Sequence, residues 1–127
     1  MVVTFTSCQH QSMTSIDFTV KSYEWYEDGS LLTYNFIWDA LDEDVVRFGT
    51  VNAYFIDNGL QNPLPFIYKQ PYYDLDENLY YVPENIAFTV KPGCITITIE
   101  DLDNNFEFPA STNWGPTMSF RVVAIGD

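Results

Sequence analysis

Two runs, NIAFTV and CITITIE, flank Lys91-Pro92-Gly93, and this stretch constrains the fold more than any other. Ile95, Ile97 and Ile99 fall on one phase, while Thr96, Thr98 and Glu100 fall on the other. A period of two is the signature of a half-buried strand. Glycine at the break supplies the positive φ that a tight hairpin needs. The same pattern recurs elsewhere. IDFTVKSYEWY leads through Glu27-Asp28-Gly29-Ser30 into LLTYNFIW, where Leu32, Tyr34, Phe36 and Trp38 share a face. TVNAYFI closes on Asp57-Asn58-Gly59, and TMSFRVVAI forms the last strand. LPFIYK, between Pro65 and Pro71, predicts a strand at a sheet edge, because proline cannot donate to a ladder.

One segment breaks the rhythm. In DALDEDVVRFG, Leu41, Val45 and Phe48 recur at helical spacing, Asp39 can cap the start, and Arg47 and Gly49 mark the end. The spacing predicts one short connector helix near residues 40–48. With 127 residues the chain is long enough for one domain. About seven evenly spaced strands predict an all-β fold, an antiparallel immunoglobulin-like β-sandwich, with a barrel as the architectural alternative. Ten Phe and nine Tyr suit pleated, half-buried surfaces.

Eighteen Asp and Glu against five Lys and Arg give a net charge of −13. Such a surface lacks the clustered cations that phosphate binding requires, so no nucleic-acid partner is expected. An anionic membrane surface would repel it as well. Acidity permits solubility, cation binding or a basic partner.

The start, MVVTFTSCQHQSMTS, places a small residue before Cys8 after several apolar ones. Ser7-Cys8 resembles the cleavage box of bacterial lipoproteins, in which the cysteine carries the lipid. Residues 1–15 then read as a signal remnant and polar tether, and 16–127 as the β-sandwich domain. Contact with a membrane is expected only through a lipid anchor at Cys8, since no segment approaches the ~20 apolar residues of a transmembrane helix. Two cysteines and one histidine are too few for a structural zinc site. Sequence does not establish a bond between Cys8 and Cys94.

Two acidic motifs stand out. YDLDENLYYVP begins at Tyr73 and EDLDNNFEFPA at Glu100. Asp74, Asp76 and Asn78, with Asp101, Asp103 and Asn105, supply alternate oxygen ligands of the kind Ca²⁺ takes. Neither copy has glycine at the sixth place or glutamate at the twelfth, as the helix-flanked calcium loop requires. Two readings therefore stand: acidic turns at strand ends, or a calcium site shared between loops. Beside these motifs, Tyr72, Tyr73, Tyr80, Tyr81 and Trp114 are candidates for stacking on sugar rings, with acids bonding the hydroxyls.

The motifs DEDVVRFGTVNAYFIDNG, NPLPFIYK, ITITIEDLDNN and MSFRVVAI together resemble a group of small secreted domains. These are immunoglobulin-like β-sandwiches of Bacteroidetes-type surface lipoproteins, a family of unknown function. Val46, Gly49, Val51, Tyr54, Leu64, Pro65, Ile95, Ile97, Asp101, Asp103, Val122 and Val123 carry the likeness. It implies an exported, lipid-anchored sandwich at the outer membrane, cell surface or periplasm, and it supplies no catalytic residues.

The expected function is a non-catalytic module that binds a glycan or protein partner, or serves as an accessory subunit. Two alternatives remain: a small carboxylate-dependent glycoside hydrolase, and a calcium-binding structural domain. A hydrolase would need two carboxylates at a set separation, with Asp42/Asp44 and Glu100/Asp101 as candidates.

Overall fold

A computed structural model describes residues 12–29, 31–73, 76–102 and 116–126. They form two antiparallel sheets packed face to face. Nine strands run in chain order: β1 (Ser12–Val20), β2 (Tyr26–Asp28), β3 (Leu31–Ile37), β4 (Thr50–Asp57), β5 (Leu60–Pro63), β6 (Phe66–Tyr73), β7 (Leu79–Lys91), β8 (Cys94–Asp101) and β9 (Met118–Gly126). One helix, α1 (Glu43–Phe48), joins β3 to β4. The first sheet has the order β1-β9-β4-β5 and the second β2-β3-β8-β7-β6. The sandwich is therefore the architecture, and the barrel is excluded.

The alternating strands bury the faces their sequence predicts. Ile95, Ile97 and Ile99 are each fully buried, opposite Phe36, Tyr34 and Leu32 of β3. Facing them from the other sheet are Met118, Phe120, Val122 and Ala124 of β9, all buried. Phe120 is the hub. Its ring lies 5.7 Å from Phe18, 6.3 Å from Trp25 and 6.0 Å from Phe55, centroid to centroid. Aromatic pairs at such separations add to the area they bury.

Three turns form where glycine allows. Gly29, Gly59 and Gly93 have φ of 62°, 78° and 84°, and Asn58 precedes Gly59 with φ 52°. Two successive positive φ values match the twist of the flanking strands. These turns set the registers Asp28↔Leu31, Asp57↔Leu60 and Lys91↔Cys94.

Several expectations need correction. IDFTVKSYEWY is not one strand, because β1 ends at Val20 and the chain crosses to the other sheet through a 3₁₀ turn at Ser22–Glu24. Trp25 drives this crossing: it is buried, and its indole Nε1 donates to the Pro116 carbonyl at 2.7 Å. β1 starts at Ser12, so residues 12–15 of the expected tether belong to the sheet. The helix is shorter than its spacing suggested and is capped by Asp42, not Asp39. The Asp42 carboxylate accepts from the Val45 amide at 2.8 Å. Gly49 ends the helix in an extended conformation, φ −93°. A Cβ there would run into the Ile125 carbonyl oxygen, so close approach of the backbones is what requires glycine.

Phe120→Ala should lower stability by about 3–5 kcal/mol through cavity formation. Gly49→Ala should cost about 1–3 kcal/mol through overpacking. Tyr81→Ser, at an exposed position, should stay within about 0.5 kcal/mol of wild type. Urea unfolding midpoints of the three variants check this order.

Candidate functional site

The described parts of the acidic motifs lie at or next to strand ends. Tyr73 pairs with Leu79 across the β6–β7 hairpin, so the first motif is the hairpin's connection. Asp76 and Asn78 are exposed within it. The second motif begins at the end of β8, where the Leu102 amide donates to the Pro83 carbonyl at 2.9 Å. Asp101 is buried, and its register partner is the equally buried Glu84 of β7. Asp74, Asp103 and Asn105 lie outside the described residues. Among the described residues no three His, Cys, Asp or Glu side chains gather as a metal-ligand set.

The candidate sugar platform is only partly visible. Tyr81 is 63 % exposed on the outer face of the five-stranded sheet. Tyr72, Tyr73 and Tyr80 lie on the paired β6 and β7 backbones, but their side chains are outside the described ones, as are Trp114 and Cys8. Leu79, half-exposed, stands two residues before Tyr81 on the same phase of β7, and half-exposed Leu102 donates its amide to the Pro83 carbonyl.

Of the two carboxylate pairs, Glu100 and Asp101 do not converge. Glu100 is exposed and Asp101 buried, so neighbours in sequence take opposite faces. Asp42 is engaged as the helix cap. The acid that sequence reading passed over is Glu84. It stands on the inward phase between Val82 and Ile86, both buried. An acid on the apolar phase of an alternating strand was the signal that could have found it.

Concavity lies elsewhere, on the outer face of the four-stranded sheet. Met13, Ser15, Ile16 and Asp17 of β1, Arg121 and Val123 of β9, Tyr54 of β4 and Gln61 of β5 line an open groove of about 760 Å³. That volume is within the usual range for small-molecule sites. Register explains the convergence: Asp17 pairs with Arg121, Arg121 with Tyr54, and Tyr54 with Pro63, in one row across four strands. Residues facing one another across antiparallel strands share a face.

Asp17 and Arg121 form a two-pronged ion pair, Nε to Oδ1 at 2.6 Å and Nη2 to Oδ2 at 2.8 Å. This bond, opposed in part by desolvation, holds the Asp17 carboxyl below its ordinary pKa. The same bond raises Arg121 above its own ordinary value. Beside them, the Thr19 and Ser119 hydroxyls bond at 2.9 Å. Two of the five guanidinium N–H groups go to Asp17, and the others make no bond among the described residues. The groove thus offers an aromatic ring, a fixed donor–acceptor pair, an amide and a hydroxyl on a locally neutral floor.

Titration of the Asp17 carboxyl by NMR should give a pKa below the ordinary value of about 3.9, returning toward it in Arg121→Leu. Because the folded-state pKa is depressed, the pair's contribution is present above about pH 4 and is lost as pH falls through the native value. Exposure of both partners keeps that contribution small.

Compared with known proteins, the chain matches no family model, no curated protein and no solved structure, and the groove's own chemistry is what bears on function.

Proposed function

We propose that this domain is a non-catalytic binding module that takes a neutral glycan in the groove on the outer face of its four-stranded sheet. The observation that carries the reading is the row Asp17–Arg121–Tyr54, flanked by Ser15 and Gln61. A sugar ring presents an apolar C–H face and a rim of hydroxyls. Tyr54 offers a surface for the first, and the carboxylate, guanidinium and amide offer acceptors and donors for the second. Because Asp17 and Arg121 already fix one another, little side-chain freedom is lost on binding. A net charge of −13 disfavours an acidic glycan.

Asp17 is the one carboxylate lining the groove among the described residues. Glycoside hydrolysis uses two flanking the bond, so this supports binding over cleavage. The resemblance to surface-lipoprotein domains supports export and display at a bacterial surface, with Cys8 carrying the lipid. A protein partner is the second reading, favoured by the exposed Leu79 and Tyr81 on one phase of β7.

A glycan array followed by calorimetric titration tests the proposal. Neutral oligosaccharides should bind, and Tyr54→Ala should weaken binding at least about tenfold while leaving Tyr81→Ser unaffected. Loss of binding in Tyr81→Ser alone would move the site to the other sheet. Absence of any glycan ligand would sink the reading.

A further inference from the structure

The sandwich has four sheet edges, and they are not alike. β2 is three residues long and carries Glu27 and Asp28. β5 is four residues long and ends in Pro63. β6 contains Pro71 and the exposed Lys69 and follows Pro65. Short length, proline and lysine are the devices that keep an edge from pairing with another chain. β1 has none of them. It is nine residues long, SMTSIDFTV, with no proline, glycine or lysine, and its one charge, Asp17, is held by Arg121. Among the described residues nothing pairs with its outer side.

The opposite sheet is open on the same side. β2 covers only Leu31–Thr33 of β3, so Tyr34–Ile37 also have no outer neighbour among the described residues. Phe18 of β1 stacks on Phe36 at 4.1 Å, and Ile16, Phe18, Tyr34 and Phe36 are only partly buried along this seam. An apolar seam beneath an unprotected edge is a place where a further strand would bury surface and satisfy backbone groups together.

We propose that a second copy of this chain covers this side, β1 pairing antiparallel with β1 about a two-fold axis through Ile16. Charge argues for it. The acids crowd β2, the helix and the hairpin connections, whereas the described residues of β1 and β9 carry Asp17 and Arg121 and no other charge. A locally neutral strip is where two copies of a −13 chain can meet. The strand is also self-complementary in this register. Ile16 meets the partner's Ile16, Phe18 meets the partner's Thr14, and Asp17 meets the partner's Ser15. No like charges stand directly opposite, the arrangement that would destabilise a ladder. The two outer faces stay on one side of a continuous eight-stranded sheet, and the partner's Ser15 stands beside the Asp17–Arg121 pair. If the groove binds glycan as proposed above, the two grooves then adjoin and bind one chain in tandem. That consequence rests on the groove reading, whereas the dimer does not.

Sedimentation of the full chain over roughly a hundredfold range of concentration reads the dimer directly. The expected result is twice the mass of one chain, and loss of the dimer in Thr14→Lys, an exposed position whose lysine would face the seam. In a Cys8→Ser background, Ile16→Cys should cross-link to itself on oxidation, since residues opposite across antiparallel strands lie about 4.5–5.5 Å apart. Thr19→Cys, facing the partner's Met13, should not. A single-chain mass throughout would overturn the proposal, whether or not a foreign extended peptide then binds β1. So would a dimer that persists in Thr14→Lys, or cross-linking at residue 19 as readily as at 16. Glycan titration is a separate readout, so failure of the groove and failure of the dimer are distinguishable.

Discussion

Everything in this sandwich leans on the inner face of β9. Phe120 meets rings from β1, β4 and the turn before β2, so one side chain ties together three parts of the chain that are remote in sequence. Val122 and Ala124 continue its face and complete the layer opposite the β8 isoleucines. The energy is that of apolar area removed from water, roughly 25 cal/mol per Å². Because β9 is a central strand, every residue it buries inward also fixes one outward. Arg121 lies between Phe120 and Val122, so the packing that seats those two aims the guanidinium at the groove.

The groove is unusual for this chain because it is neutral. Elsewhere acids outnumber bases, eighteen to five over the whole chain, whereas here one carboxylate meets one guanidinium. Several other acids sit where strands end or where the helix begins, as Asp42 does in capping α1. Asp17 is different. It sits mid-strand with its charge answered by a neighbour on β9, and the pair replaces mobile solvent with fixed polar groups on the floor of a concave face.

Local pattern carried a large part of the fold. Alternation placed Ile95, Ile97 and Ile99 inward, and glycine-bearing turns located three hairpins, because both signals act over a few residues. β5 escaped notice since Leu60–Pro63 is too short to alternate visibly and is held only by its register with β4. The change of sheet after Val20 was also hidden, as it depends on Trp25 reaching Pro116, ninety-one residues away. The groove was illegible for the same reason. Asp17 and Arg121 are 104 residues apart, and no local rule says which strands become neighbours. The sequence instead drew attention to acids and tyrosines clustered along the chain, which is where proximity can be read without knowing the pairing.

The placement of β9 has a further consequence for how the chain reaches its fold. β8 pairs with β3 and β7 without help from later residues, so the five-stranded layer closes on contacts that precede Met118. The four-stranded layer has no such option: β1 and β4 are joined only through the last strand, which pairs with both. During synthesis, the earlier layer would wait with its isoleucines uncovered. Order of emergence, and not only final stability, then determines how long this protein is vulnerable to aggregation.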